Sequence, residues 1–113
     1  MLRSFPINRN GLFKRLYQSN RTQKGTLLIT SVLKNKRDYN RIGITASKKI
    51  GNAVVRNRAR RVVKESYRLL EPGLKTGFDI VFICRSKTAE VKMQDVKKEM
   101  QRQLTQLEIK YEN

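Results

Sequence analysis

The chain has 113 residues, enough for one domain with a single modest core. Its 26 Lys and Arg against 9 Asp and Glu give a formal net charge of +17, with no histidine, a balance that repels itself and attracts polyanions. Nucleic acid is the expected partner, because each cation set against a phosphate releases condensed counterions; an anionic membrane surface is the weaker option. No apolar run approaches the roughly 18 residues that a spanning helix needs, and "MLRSFPINRNGLFKRL" lacks the continuous apolar stretch of a secretory signal. A cytoplasmic protein with no membrane partner is therefore expected. The single cysteine, Cys84, rules out a disulfide framework or a Cys-based metal cluster and reads as a buried structural thiol. With no repeat, low-complexity stretch or Pro/Gly-rich linker, residues 1–113 read as one RNA-binding domain.

In chain order, Asn10 can cap a short helix that carries Phe13, Leu16 and Tyr17 on one side. "GTLLITSVLK" and "NRIGITASK" read as two strands joined by "NKRDYN", the turn of an expected hairpin. A basic helix follows, capped by Asn52 after Gly51 and stopped near Pro72 and Gly73. "GFDIVFICR" is apolar throughout and so belongs in the middle of a sheet. "MQDVKKEMQRQLTQLE" closes the chain as a helix with an apolar stripe of Met93, Val96, Met100, Leu104 and Leu107. Helix, hairpin, helix, strand, helix suggests an α+β domain with helices packed on one sheet.

The basic helix divides into two faces on a helical wheel of about 100° per residue. With Val55 at the origin, Ala59, Val62, Val63, Ser66, Leu69 and Leu70 form a stripe for docking on the sheet. Asn57, Arg60, Arg61, Lys64 and Arg68 crowd the opposite side, and Arg56 and Arg58 stand at the borders, where a guanidinium can lay its stem on apolar surface and still reach outward. Glu65 is the only acid between Lys48 and Leu70. A merely solvated helix alternates charge signs for i, i+4 support, whereas this one tolerates self-repulsion and suits a phosphate partner. Its bias towards Arg adds two-point recognition of phosphate oxygens.

"SKKIGNAVVRNRARR", Ser47 to Arg61, resembles the hallmark S-K-K-x-G-x-A-V-x-R-N-R-x-(K/R)-R of the protein subunit of bacterial ribonuclease P. Three further matches extend the resemblance over nearly the whole chain: N-x-x-F-x-x-x-(F/Y) at Asn10, Phe13 and Tyr17, R-x-G-(I/L) at Arg41 to Ile44, and (Y/F)-D-(I/V)-V at Phe78 to Val81. The resemblance implies a four-stranded sheet with three helices in the order αβββαβα, the arginine-rich helix lying in a left-handed crossover. It also implies an additional short strand near "SNRTQ", where pattern alone reads a loop.

The activity implied is endonucleolytic removal of the 5′ leader from precursor tRNA, with catalysis by metal ions on an RNA subunit. Magnesium is expected in that RNA-containing holoenzyme, and the protein itself is expected to hold no metal, no other cofactor and no catalytic residue. The residues agree on their own terms, because the chain lacks histidine and its acids are scattered, with no pair evidently placed for a two-metal site. The expected partners are the catalytic RNA and precursor tRNA, with no protein partner required. Carried over by motif, the RNA-facing residues are Lys48, Lys49, Arg56, Asn57, Arg58, Arg60, Arg61, Lys64 and Arg68. Phe13 and Tyr17 would line a cleft for the single-stranded leader, between the basic helix and the sheet, where bases can stack on rings. The plainer reading of those aromatics is the core-facing side of the first helix. One departure from the pattern is Thr30 or Ser31, where relatives often carry another aromatic. A ribosomal or general RNA-chaperone protein is the alternative function that shares the charge and size, and a stand-alone nuclease is the enzyme-class rival.

Overall fold

The computed structural model describes residues 4–6 and 21–110. Five strands, β1 (Ser4–Pro6), β2 (Thr22–Lys24), β3 (Leu28–Lys34), β4 (Asn40–Thr45) and β5 (Phe78–Cys84), form one sheet in the order β1-β4-β5-β3-β2. Two helices, α1 (Ala53–Leu70) and α2 (Met93–Gln106), complete the described residues, with short 3-10 turns at Lys48–Ile50 and Glu71–Gly73. Strands β2 to β5 are the four strands expected, and β2 is the additional short strand that the resemblance implies. Ser4–Pro6 adds a fifth at the edge, parallel to β4. The first helix expected around Phe13 and Tyr17 lies outside the described residues.

The uniformly apolar β5 takes the centre of the sheet, as its composition predicts. It runs antiparallel to β3 and parallel to β4. This overturns the hairpin expected from "NKRDYN": β3 and β4 are consecutive in sequence, yet β5 lies between them. The parallel pairing of β4 with β5 requires a long crossover, and α1 supplies it. A turn-like sequence between two strands constrains the local chain path, while the unpaired apolar length of β5 decides which strands are neighbours.

Strand alternation sends Leu28 and Val32 of β3, Ile42 of β4, and Ile80, Phe82 and Cys84 of β5 to the helix-covered face, where they join one core with Ala59, Val63, Tyr67 and Leu70 of α1 and Val96, Met100 and Leu104 of α2. Tyr67 and Phe82 meet at 5.7 Å between ring centroids, tilted by 59°. Gln103, a polar residue inside this core, is satisfied: its amide donates to the Leu28 carbonyl at 2.9 Å, and the Thr30 hydroxyl donates to its Oε1 at 2.5 Å. Thr30 is thus a core partner of α2, whereas Ser31 points to the other face and bonds the Thr22 hydroxyl at 2.9 Å.

On that other face Asp79 receives both Nε and Nη2 of Arg41 at 2.8 Å, and Nδ2 of Asn35 at 3.0 Å. The Asp79 side chain is 2% exposed and that of Arg41 25%, so the pair clamps the start of β5 to β4 and to the end of β3. Hydrogen bonding to Asp79 raises the Arg41 pKa further above its already high ordinary value. Asp79 therefore has a structural role.

The buried stripe of α1 is Ala59, Val63, Ser66, Tyr67 and Leu70. Leu69, expected in the stripe, is 41% exposed, and Val55 and Val62 are only half-buried. Placing Val55 at the origin rotates the wheel too far towards Leu69. Tyr67 decides the true phase, because an aromatic buries more area than a valine. Val63→Ala should accordingly lower stability by about 1 to 3 kcal/mol, and Val62→Ala by distinctly less. Thermal or urea unfolding of the two variants measures this; equal losses would contradict the phase observed.

Candidate nucleic-acid interface

The entry to α1 is set by Gly51 and Asn52. Gly51 has φ 151°, and a Cβ there would stand 2.8 Å from Val55 Cβ, so any other residue would clash with the first turn. The Asn52 side chain then accepts from the Val55 amide at 3.0 Å, the N-cap expected from sequence. Lys48 and Lys49 precede this cap on the 3-10 turn, and the first turn of α1 carries no acid. The positive end of the helix dipole therefore adds to the side-chain charge.

Burial of the Tyr67 side of α1 turns the motif residues outward in two groups. Asn57, Arg58, Arg61, Lys64 and Arg68 are exposed, together with Lys48 and Lys49. Arg56 and Arg60 are half-buried, which corrects the expectation that Arg60 lies opposite the docking stripe; the rotated phase moves it to the border that Arg56 occupies. Arg60 Nη2 donates to Asn57 Oδ1 at 2.6 Å. Its charge also acts on Cys84, whose thiol burial nonetheless pushes up to about 11. The thiol is free and buried, as its apolar strand implies.

Arg58 is held from the other border, its Nε donating to the Ala89 carbonyl at 2.9 Å in the segment after β5. The Arg58 side chain nonetheless remains exposed. Beside it, Arg58, Arg61, Val62, Glu65 and Met93 line a shallow groove between α1 and the start of α2. Glu65, the one acid of the helix, pairs with Arg68 at 2.5 Å; the hydrogen bond from Arg68 lowers its pKa, and Arg68 is raised in turn. Lys48, Lys49, Arg61 and Lys64 form no ion pair or side-chain hydrogen bond among the described residues. Val54, in the first turn of α1, is 75% exposed.

The space between α1 and the sheet is filled by Tyr67, Val63, Phe82 and Ile80. Phe13 and Tyr17 lie outside the described residues. Among the described residues no three carboxylate or thiol side chains converge as a metal site would require, and no helix is long and apolar enough to cross a membrane.

The fold recurs in known proteins. A family profile described as Ribonuclease P matches residues 1–108. The chain belongs to the ribonuclease P protein family. Among its curated relatives, the ribonuclease P protein component of Alkaliphilus metalliredigens is 49% identical over 84 residues, 74% of this chain and 76% of that protein. That of Clostridioides difficile is 40% identical over 93 residues, 81% of this chain and 82% of the relative. The solved ribonuclease P protein of Staphylococcus aureus superposes with a TM-score of 0.83 at 25% identity, covering 95% of this chain and 98% of that one. The protein from Thermotoga maritima gives 0.79 at 28%, covering 89% and 96%. Ribonuclease P proteins are components of an endoribonuclease that matures the 5′ end of precursor tRNA, and the family assignment places this chain in that role rather than among general RNA chaperones.

The unpaired cations make a prediction that needs no RNA. Sulfate or phosphate should raise the melting temperature more than chloride at equal ionic strength, because a divalent anion can bridge charges that otherwise repel. Equal effects of the two salts, measured by calorimetry, would argue against anion sites on α1.

Proposed function

We propose that α1 is the surface on which this ribonuclease P protein meets the catalytic RNA of the holoenzyme, through Lys48, Lys49, Arg56, Asn57, Arg58, Arg60, Arg61, Lys64 and Arg68. The observation that carries this reading is the division of labour on one helix: Val63, Tyr67 and Leu70 are buried, while Arg61 and Lys64 point outward without partners. Phosphates supply the missing counter-charge. Arg58 and Arg60, steadied by Ala89 and Asn57, present guanidinium groups already partly ordered, which reduces the side-chain entropy lost on binding.

Precursor tRNA is the proposed substrate and leader removal the proposed reaction. Phosphodiester hydrolysis belongs to the RNA subunit and its magnesium ions, since the chain has no histidine and the described acids are dispersed or already engaged, as Asp79 is with Arg41 and Glu65 with Arg68. The protein's part is electrostatic and positional: it lowers repulsion between RNA strands and holds the substrate near the catalytic RNA. Phe13 and Tyr17 would stack leader bases.

Cleavage of precursor tRNA at low magnesium tests the reading, with protein alone, catalytic RNA alone, and both. Only the combination should cut efficiently. Arg60→Ala with Arg61→Ala should weaken assembly with the RNA, flatten its salt dependence by about one to two ions, and leave the fold intact. Tyr17→Ala should weaken capture of precursor tRNA by about 1 to 3 kcal/mol and spare mature tRNA. Cutting by the protein alone, or unchanged assembly of the arginine variant, would contradict it.

A further inference from the structure

A second cluster of unpaired cations lies off the arginine-rich helix. Lys24, Gly25, Thr26, Arg85, Ser86 and Lys87 line a concavity of about 550 Å³ between the β2–β3 turn and the segment following β5. The side chains of Lys24, Arg85 and Lys87 are exposed and form no ion pair or hydrogen bond among the described residues, and no carboxylate lines the concavity.

Its walls are tied together from beneath. Glu99 of α2 accepts from the amides of Leu27 and Leu28 at 2.8 and 2.6 Å, which anchors the β2–β3 turn to the helix. Thr88, fully buried, donates to the Leu27 carbonyl at 2.6 Å and accepts from the Arg85 amide at 2.8 Å, joining the two walls through one hydroxyl. Gly25 is the residue that permits this closeness: a Cβ there would stand 2.6 Å from Glu99 Cδ. The carboxylate of Glu99 is thus engaged by the Leu27 and Leu28 amides and by Arg102, 3.8 Å away, and the three cations around the rim keep their charge. Thr26 and Ser86 add hydroxyl donors of the kind that contact phosphate oxygens.

This concavity also joins the surface already assigned. Ala89, whose carbonyl receives Arg58, belongs to the same segment as Arg85 and Lys87, so a single polyanion lying along α1 can continue onto it.

We propose that Lys24, Arg85 and Lys87 form a second phosphate-contact site for the catalytic RNA, extending its footprint from α1 across the β5–α2 segment to the β2–β3 turn. The proposal rests on the reading of α1 given above. Three features support it: three cations free of counter-charge, a scaffold ordered by Thr88 and Glu99, and continuity with α1 through Arg58 and Ala89.

The test uses the full-length chain with the RNA subunit of a bacterial ribonuclease P, over a series of monovalent salt concentrations. The variant carrying Lys24→Gln, Arg85→Gln and Lys87→Gln should bind that RNA about ten- to a hundred-fold more weakly at about 0.1 M salt, with its salt slope reduced by about two ions. The single variants Lys24→Gln and Lys87→Gln should each give part of that loss. Melting temperatures should not fall, because the replaced side chains have no partners to lose. Once assembled at saturating protein, the holoenzyme should capture precursor tRNA normally. Unchanged RNA affinity of the triple variant, alongside weakened binding of the Arg60→Ala, Arg61→Ala variant, would overturn this site and leave the α1 reading intact. Unchanged affinity of both would overturn both. Normal assembly with weakened capture of precursor tRNA would transfer the phosphate to the substrate and overturn the assignment made here. So would a loss confined to the triple variant and accompanied by a fall in melting temperature.

Discussion

Every feature of the proposed RNA surface depends on the burial of one side of α1. A helix whose Arg and Lys outnumber its acids this heavily disfavours its own formation, because charges one turn apart repel. Docking offsets that cost: Ala59, Val63, Ser66, Tyr67 and Leu70 are withdrawn from water against β4, β5 and α2, and each large apolar side chain so buried contributes roughly 1.5 to 3 kcal/mol. Only with that stripe held in place do Arg58, Arg61 and Lys64 share a defined direction. The sheet supports the arrangement in turn. Because β5 lies between β3 and β4, the chain must cross over its face, and the crossover is α1 itself.

The two basic surfaces are built by different means. On α1 the cations are positioned by helical periodicity, and only Arg58, Arg60 and Arg68 are steadied further by hydrogen bonds. Around the concavity Lys24 ends β2, whereas Arg85 and Lys87 stand on no helix or strand, and the hydrogen bonds of Thr88 and Glu99 hold the two segments together beneath them. Both solutions leave cations without counter-charge among the described residues, Arg61 and Lys64 on α1 and Lys24, Arg85 and Lys87 around the concavity. That combination separates a surface prepared for a polyanion from one that merely keeps the protein in solution.

What could be read from the residues follows from which signals are local. The Asn52 cap, the stop at Pro72 and Gly73, the central place of β5 and the buried thiol of Cys84 each depend on a few neighbouring residues, and each is legible. The hairpin was not legible, because strand adjacency is decided by β5, more than 30 residues downstream of the turn. The wheel was out of phase because valines weighted equally with Tyr67 shift its centre towards Leu69, and Arg60 moved to the border with it. The concavity at Lys24, Arg85 and Lys87 left no motif at all, since it joins two segments about 60 residues apart. Thr88, the residue that binds those segments, looks like any loop threonine until the carbonyl of Leu27 is seen beside it.

Because Cys84 is buried and is the only cysteine in the chain, a photo-crosslinker can be attached at a single engineered site, which allows the most direct test that α1 faces the catalytic RNA. Lys64→Cys places the probe on the outer face of α1, and Thr105→Cys places it on the exposed face of α2. Irradiation of the assembled holoenzyme should crosslink the Lys64→Cys protein to the catalytic RNA at discrete positions, while the Thr105→Cys protein crosslinks weakly or not at all. Equal crosslinking from both sites, or crosslinking from position 105 alone, would contradict the account.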